Sequence, residues 1–208
     1  MPLAIIDCGA GNLHSVRKAF AAVLPEGETP TITTDPAVVR AASHIVLPGV
    51  GAFGDCMAGL NALPGMREAL EEKVHHGSTP FLGICVGMQM LFEKGHEHGV
   101  HDGLGWFKGE VAPLQITDQS LKIPQMGWNI LRLRRKHPIL DGIEEKSFVY
   151  FVHSYAARDA APHDILADVD YGGAVVAIIG RDHIIGTQFH PEKSQAIGLR
   201  LLSNFLKM

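Results

Sequence analysis

The chain has 208 residues, 46% of them hydrophobic and 19% charged, with a formal net charge of −4. That composition belongs to a folded chain with a large core and excludes a disordered one, and its mild acidity gives no reason to expect nucleic acid as a partner. Three cysteines, Cys8, Cys56 and Cys85, supply neither a paired framework nor a zinc spacing, and they fit a reducing compartment. No apolar stretch approaches the roughly 20 residues that span a bilayer. The start, Met1-Pro2-Leu3-Ala4-Ile5-Ile6-Asp7, reads as a first strand and not as a signal peptide, so a cytoplasmic chain with one domain over residues 1–208 is expected.

In chain order, Leu3–Asp7 is an apolar strand ending in the turn residues Cys8-Gly9-Ala10-Gly11. Asn12 is placed to cap the following helix, whose apolar face carries Val16, Ala19, Phe20 and Val23. Thr31–Thr33 predicts a short strand, and Asp35 caps a brief helix through Val39. A third strand, His44–Leu47, runs into Pro48-Gly49-Val50-Gly51, followed by a polar, glycine-containing stretch and a helix over Met66–Val74. Pro80–Ile84 is the fourth strand, with a helical run over Met88–Phe92 after it. Apolar strands spaced by helices predict a three-layer α/β fold with a mostly parallel sheet. The second half changes to short strands: Gly109–Pro113, Trp128–Leu133, Phe148–Ser154, Ile165–Val169, Ala174–Gly180 and Ile184–Phe189. These predict antiparallel additions to the sheet, with Arg132–Lys136 as a solvated hairpin edge. Ser194–Leu206 closes the chain as an amphipathic helix through Ile197, Leu201, Leu202 and Phe205.

Two stretches carry chemistry. Gly83-Ile84-Cys85-Val86-Gly87 places a cysteine between glycines at a strand-to-helix turn, the thiol form of a nucleophile elbow. Backbone N–H groups and the positive end of the following helix favour a thiolate there and can later hold an oxyanion. His190-Pro191-Glu192 supplies an imidazole and a carboxylate which, on an extended backbone, point to the same side. Gly49, Val50 and Gly51 offer further unobstructed N–H groups for an oxyanion hole, and Gln89 shares a helix face with Cys85. All of these lie at carboxyl ends of predicted strands, where open α/β sheets bind ligands. His96, His98 and His101 lack metal-site spacing and any accompanying cysteine, so no metal is expected.

The segments Gly83–Gln89, Pro48–Gly51 and Gln188–Ser194 together resemble the class I (triad) glutamine amidotransferases. Pro124–Asn129, Phe151–Tyr155 and Asp7–Leu13 are similar to one branch of that class, the glutaminase subunits of imidazole glycerol phosphate synthases, and the resemblance covers nearly the whole chain. Two departures are Cys8, where the branch usually has tyrosine, and Gln125, where histidine is also familiar. The resemblance implies glutamine hydrolysis: Cys85 attacks the side-chain amide, His190 moves protons, Glu192 orients His190, and backbone around Gly51 and Val86 holds the oxyanion. It implies that Gln89, Glu97, Ser154 and Tyr155 line the glutamine pocket, with Glu97 suited to the α-ammonium, and that no cofactor is needed. It further implies a separate (β/α)8-barrel cyclase partner, faced by Asn12, Met126 and Trp128, and an oxyanion loop completed by rotation of a peptide in Gly49–Gly51. Burial of Met126 and Trp128 in the chain's own core is the alternative to partner contact. A glutaminase serving a different synthase, a γ-glutamyl hydrolase, or a binding module that has lost catalysis remain the competing readings.

Overall fold

The computed structural model describes residues 1–9, 11–118 and 120–208; Ala10, part of the turn predicted after the first strand, lies outside the described residues. The strands are β1 (Leu3–Ile6), β2 (Thr31–Thr33), β3 (His44–Gly49), β4 (Phe81–Cys85), β5 (Phe92–Gly95), β6 (His101–Asp102), β7 (Phe107–Pro113), β8 (Gln125–Ile130), β9 (Arg132–Leu133), β10 (Phe148–His153), β11 (Tyr155–Arg158), β12 (Ile165–Asp170), β13 (Ala174–Arg181) and β14 (Ile184–Thr187). The helices are α1 (Leu13–Ala21), α2 (Pro36–Ala41), α3 (Phe53–Asn61), α4 (Met66–Leu70), α5 (Val86–Gln89) and α6 (Gln195–Phe205). An eight-stranded sheet runs in the order β2-β1-β3-β4-β14-β13-β12-β9. Neighbours from β2 through β14 pair in parallel, and those from β14 through β9 pair antiparallel.

Register shows how both faces are covered. His44 and Ile45 are successive in β3 and so point to opposite faces. The His44 ring meets Phe205 of α6 at 5.3 Å, and Phe205 meets Phe20 of α1 at 6.0 Å. Ile45 pairs with Phe81, whose ring packs on Trp106 at 5.1 Å; Trp106 in turn stacks on His75. One face is therefore closed by α1 and α6, the other by the helical segment that continues α4 as a π-helical turn over Glu71–His75. The rings of Phe20, Phe81 and Phe205 are fully buried, each contributing about 1.5–3 kcal/mol by leaving water.

Several elements differ from the sequence reading. The antiparallel additions are β13, β12 and β9, whereas β14 is a parallel neighbour of β4. β7 and β11 join β5 and β6 in a separate four-stranded sheet, and β8 pairs with β10 in another. The predicted strand Trp128–Leu133 is split at Leu131 between β8 and β9, which belong to different sheets. The helix α3 occupies the polar, glycine-containing stretch, where no element is predicted. Asn12 precedes α1 but makes no side-chain cap bond, while Asp35 caps α2 by accepting from the Ala37 N–H at 2.8 Å. Arg132 and Arg134 are not simply solvated: their Nε atoms donate to the two oxygens of the largely buried Asp168 at 2.7 and 2.5 Å.

Candidate active site

Cys85 ends β4 with φ 56° and ψ −112°, a conformation that sterics disfavour for a residue with a side chain. It is held on one side by the β3–β4 ladder, in which Cys85 is opposite Gly49. On the other side α5 is wedged among β3, β4 and β14. The flanking glycines act differently from the sequence expectation. Neither takes the bend, since the positive φ is at Cys85 itself. They permit close packing instead: a Cβ on Gly87 would lie 1.8 Å from the Leu47 carbonyl oxygen, and one on Gly83 would lie 2.5 Å from that of Gly87. The helix after Cys85 is a single turn, because Phe92 starts β5. The contribution of a long helix dipole is correspondingly absent, leaving the N–H groups of that turn to favour an anion.

His190 and Glu192 come together through a different backbone from the one expected. Pro191–Lys193 is a 3-10 turn, not an extended segment, and it folds the carboxylate back until His190 Nδ1 lies 2.7 Å from Glu192 Oε1. Both side chains are almost wholly buried, at 3% and 1% exposure. His190 Nε2 makes no hydrogen bond; with Nδ1 taken by Glu192, it is the ring nitrogen left to act on Cys85, which holds the imidazole up. Burial pushes the imidazole down, but its interactions with Cys85 and Glu192 outweigh that and hold it up at about 9. At neutral pH the ring is therefore an imidazolium between a carboxylate and a sulfur. That arrangement suits a thiolate nucleophile and a proton donor for a leaving group.

Cys85 and His190 open onto a cavity of about 490 Å³, within the range of small-molecule sites. Val50, Gly51, Val86, Gln89, Glu97, Ser154 and Tyr155 are among the residues that line it. Gly49 stands beside Cys85 in the ladder. Gly51 has φ 96°, and the Val50 carbonyl accepts from the Cys56 thiol at 3.5 Å. Burial above all, then the neighbouring Cys8 and Cys85 sulfurs, pushes Cys56 up to about 12, so it remains a protonated donor that tethers this loop. One Glu97 oxygen is already engaged, accepting from the Phe53 N–H at 2.8 Å and so capping α3. Gln89 directs its amide nitrogen inward, donating to the Tyr155 carbonyl and to Gln188 Oε1, each at 3.0 Å. Only its oxygen is left for a ligand.

Sequence reasoning missed Gln188, which is fully buried and directs Nε2 at Cys85 Sγ, 3.8 Å away. The available signal was a glutamine inside an apolar run immediately before Phe189-His190. Pro124, His98 and Lys193 also contribute to the cavity wall. His153 was read only as part of a motif. It lies in the wall with burial pushing it down to about 4, so its ring is neutral. The Tyr155 carbonyl can only accept, so His153 Nδ1, 2.9 Å from it, carries the ring proton. Nε2 is then an acceptor facing Gln125, whose amide nitrogen otherwise has no partner.

The remaining candidates lie elsewhere. His96 pairs with Glu110 at 2.7 Å and the His101 ring sits against Gly54. Among the described residues, the side chains spaced to share an ion are instead Glu71 and His75 on the π-helical turn and His76 just after it. Glu71 there accepts from Trp106 Nε1, and His75 stacks on the same indole. Asn12 is exposed. Met126 and Trp128 are 65% and 46% exposed, which rules out burial in the chain's own core. They share one face of β8 with Ile130, and the register places Val152, Tyr150 and Phe148 of β10 beside them.

Residues 4–208 match the family model for glutamine amidotransferase class-I. Over 213 aligned residues, covering 100% of this chain and 99% of each relative, the chain is 53% identical to imidazole glycerol phosphate synthase subunit HisH of Mesorhizobium japonicum and 51% identical to that of Agrobacterium fabrum. Among solved structures, one described as a glutamine amidotransferase superposes with a TM-score of 0.76 at 16% identity, covering 100% of this chain and 98% of its own. A putative GMP synthase subunit from Thermoplasma acidophilum superposes with a TM-score of 0.71 at 19% identity, covering 100% and 92%.

Proposed function

Because the chain belongs to the class I glutamine amidotransferases, we propose that Cys85, His190 and Glu192 are the catalytic triad of its glutaminase reaction. The chain is the glutaminase subunit of an imidazole glycerol phosphate synthase, working in histidine biosynthesis. The Cys85 sulfur attacks the side-chain amide carbon of glutamine, and the carbonyl electrons move to oxygen. As that oxyanion collapses, the C–N bond breaks and His190 gives its proton to the departing ammonia. The resulting γ-glutamyl thioester is hydrolysed by water, with His190 now taking the water proton, which releases glutamate and restores the thiolate and imidazolium. Glu192 fixes the imidazole and stabilises its charged form. The observation that carries this reading is the buried 2.7 Å contact between His190 Nδ1 and Glu192, with the opposite ring edge turned to a cysteine at a bent strand end.

The oxyanion is assigned to the backbone N–H groups of Gly49, Val50, Gly51 and Val86, a reading supported by Val50, Gly51 and Val86 lining the cavity and by Gly49 lying opposite Cys85 in the β3–β4 ladder. Gln89 Oε1 and the unengaged Glu97 oxygen are acceptors suited to the nitrogen groups of glutamine, and Ser154 and Tyr155 line the same cavity. Ammonia passes to a (β/α)8-barrel cyclase subunit, for which the exposed apolar strip on β8 and β10 is the docking face, with Asn12 as a further contact. The reading puts the protein in the cytoplasm. Among the described residues, no helix is long and apolar enough to cross a membrane.

The test is glutamate release by the chain alone, with the barrel subunit, and with the barrel subunit and its nucleotide ligand. Full activity is expected in the last mixture and loss of at least a thousandfold on Cys85→Ala. Wild-type turnover by Cys85→Ala would remove the triad, and activation by a different synthase alone would remove the partner.

A further inference from the structure

The sulfur of Cys85 has a second polar neighbour besides His190, and the direction of that contact is settled by a chain of hydrogen bonds. The Tyr155 carbonyl has no proton to give, so the Gln89 amide atom 3.0 Å from it is the nitrogen. The same nitrogen lies 3.0 Å from the Gln188 side chain, which must therefore present its oxygen there. Gln188 is left with its N–H₂ end towards Cys85 Sγ at 3.8 Å. Its backbone is fixed as well, since the Gln188 N–H donates to the Ala177 carbonyl of β13 at 2.9 Å. Gln89 and Gln188 are 2% and 0% exposed, so water does not compete for these bonds.

Building on the proposed triad, we infer that Gln188 is a positioning residue for the nucleophile: its side-chain amide, aimed by Gln89, gives the Cys85 sulfur an N–H donor that favours the thiolate. A donor facing sulfur stabilises the charged form over the thiol. Gln188 is not in the cavity wall, whereas Gln89 is. It acts from behind the nucleophile and does not touch substrate. The other titratable groups near the sulfur are His190 with Glu192 behind it, Cys56 from α3, and His153 from β10 beyond His190. Of these, His190 supplies charge to the sulfur. Gln188 adds an uncharged donor whose aim does not change with pH.

The experiment measures iodoacetamide alkylation of the full chain between pH 5.5 and 10, with the modified cysteine located by peptide mass spectrometry. Gln188→Glu keeps the shape and replaces the donor by an acceptor; Gln188→Leu removes the donor and keeps the bulk. In folded samples of either variant, Cys85 alkylation at pH 7 is expected to fall about tenfold and to converge with wild type at high pH, where the thiol ionises unaided. In the complex, kcat for glutamine should fall while KM changes less than twofold. Alkylation at pH 7 within twofold of wild type in either folded variant overturns the role of Gln188. Failure of the triad itself looks different: Cys85 of the wild type would react no faster than Cys8 and Cys56, and Cys85→Ala would still hydrolyse glutamine.

Discussion

At the residue scale the site is two buried imidazoles held in opposite charge states by their neighbours. His190 is surrounded by groups that stabilise its proton and stays charged to about pH 9. His153, whose described hydrogen-bond partners are the Tyr155 carbonyl and the Gln125 amide, is neutral down to about pH 4 because burial dominates. Their effects on stability have opposite signs. The folded chain holds the His190 proton more tightly than the unfolded chain does. That stabilisation is complete below the ordinary histidine value of 6.5 and is lost as pH rises through about 9. His153 resists protonation, so stability from that site falls as pH drops from 6.5 towards 4. Replacing Glu192 with Gln removes one of the groups that hold the His190 proton. The full shift to about 9 is worth roughly 3 kcal/mol and Cys85 supplies part of it, so in urea titrations wild type is expected to lose on the order of 1–2 kcal/mol more than Glu192→Gln between pH 6.5 and 9. Equal losses in the two proteins would mean that Glu192 does not hold the His190 proton.

At the element scale, the site depends on α5 lying flat against the ends of β3, β4 and β14. A methyl group at Gly87 would sit 1.8 Å from the Leu47 carbonyl oxygen, part of the backbone of β3, which no side-chain rotation can relieve. Gly87→Ala is therefore expected to cost about 3 kcal/mol or more. It should also push α5 away from Cys85, lowering Tm and glutaminase activity together; a variant with wild-type Tm would show that α5 can shift without penalty. The two glycines around Cys85 were legible in the sequence as a motif, but their physical role was not, because a 1.8 Å approach exists only between elements brought together by folding. The same limit explains α3. Phe53–Asn61 contains Gly54 and Gly59, which lower helix propensity, yet a Cβ on Gly59 would lie 2.0 Å from the Cys8 carbonyl oxygen, so the glycine that hid the helix is what lets it pack. Phe92 extended an apolar run that fits helix or strand equally, and only its pairing with Phe107 in β7 decides for strand. The first four parallel strands and the residues proposed as a triad were legible because each is written locally, as an apolar run or a short motif. The 3-10 turn that joins His190 to Glu192 and the glutamine relay behind Cys85 were not, because each depends on geometry or on contacts across elements.

At the scale of the whole molecule, the cavity and the exposed strip are joined through β8 and β10. Gln125 of β8 meets His153 of β10 across their ladder, and both ends of that contact are buried. One residue along from Gln125, Met126 is turned to solvent at 65% exposure, because successive strand residues face opposite ways. The same strand pair thus presents polar atoms towards the catalytic cavity and apolar side chains outward. Phe148 at 54% and Ile130 at 38% exposure extend the strip, and Trp128 packs edge-on against Tyr150 at 5.9 Å within it. Exposed tryptophan among apolar neighbours is the composition of an interface centre, where truncation commonly loses 2 kcal/mol or more. Trp128→Ala should therefore weaken binding to the proposed barrel subunit by about thirtyfold or more, measured by titration calorimetry. Being half-exposed and outside the lining of the cavity, it should leave Cys85 alkylation of the isolated chain unchanged. Glutamate release at saturating barrel subunit should approach wild type, since the loss is in association and not in chemistry. Unchanged affinity would move the docking face off β8 and β10. Lost affinity together with slowed alkylation of the isolated chain would mean that Trp128 supports the site itself, through the strand pair that carries His153.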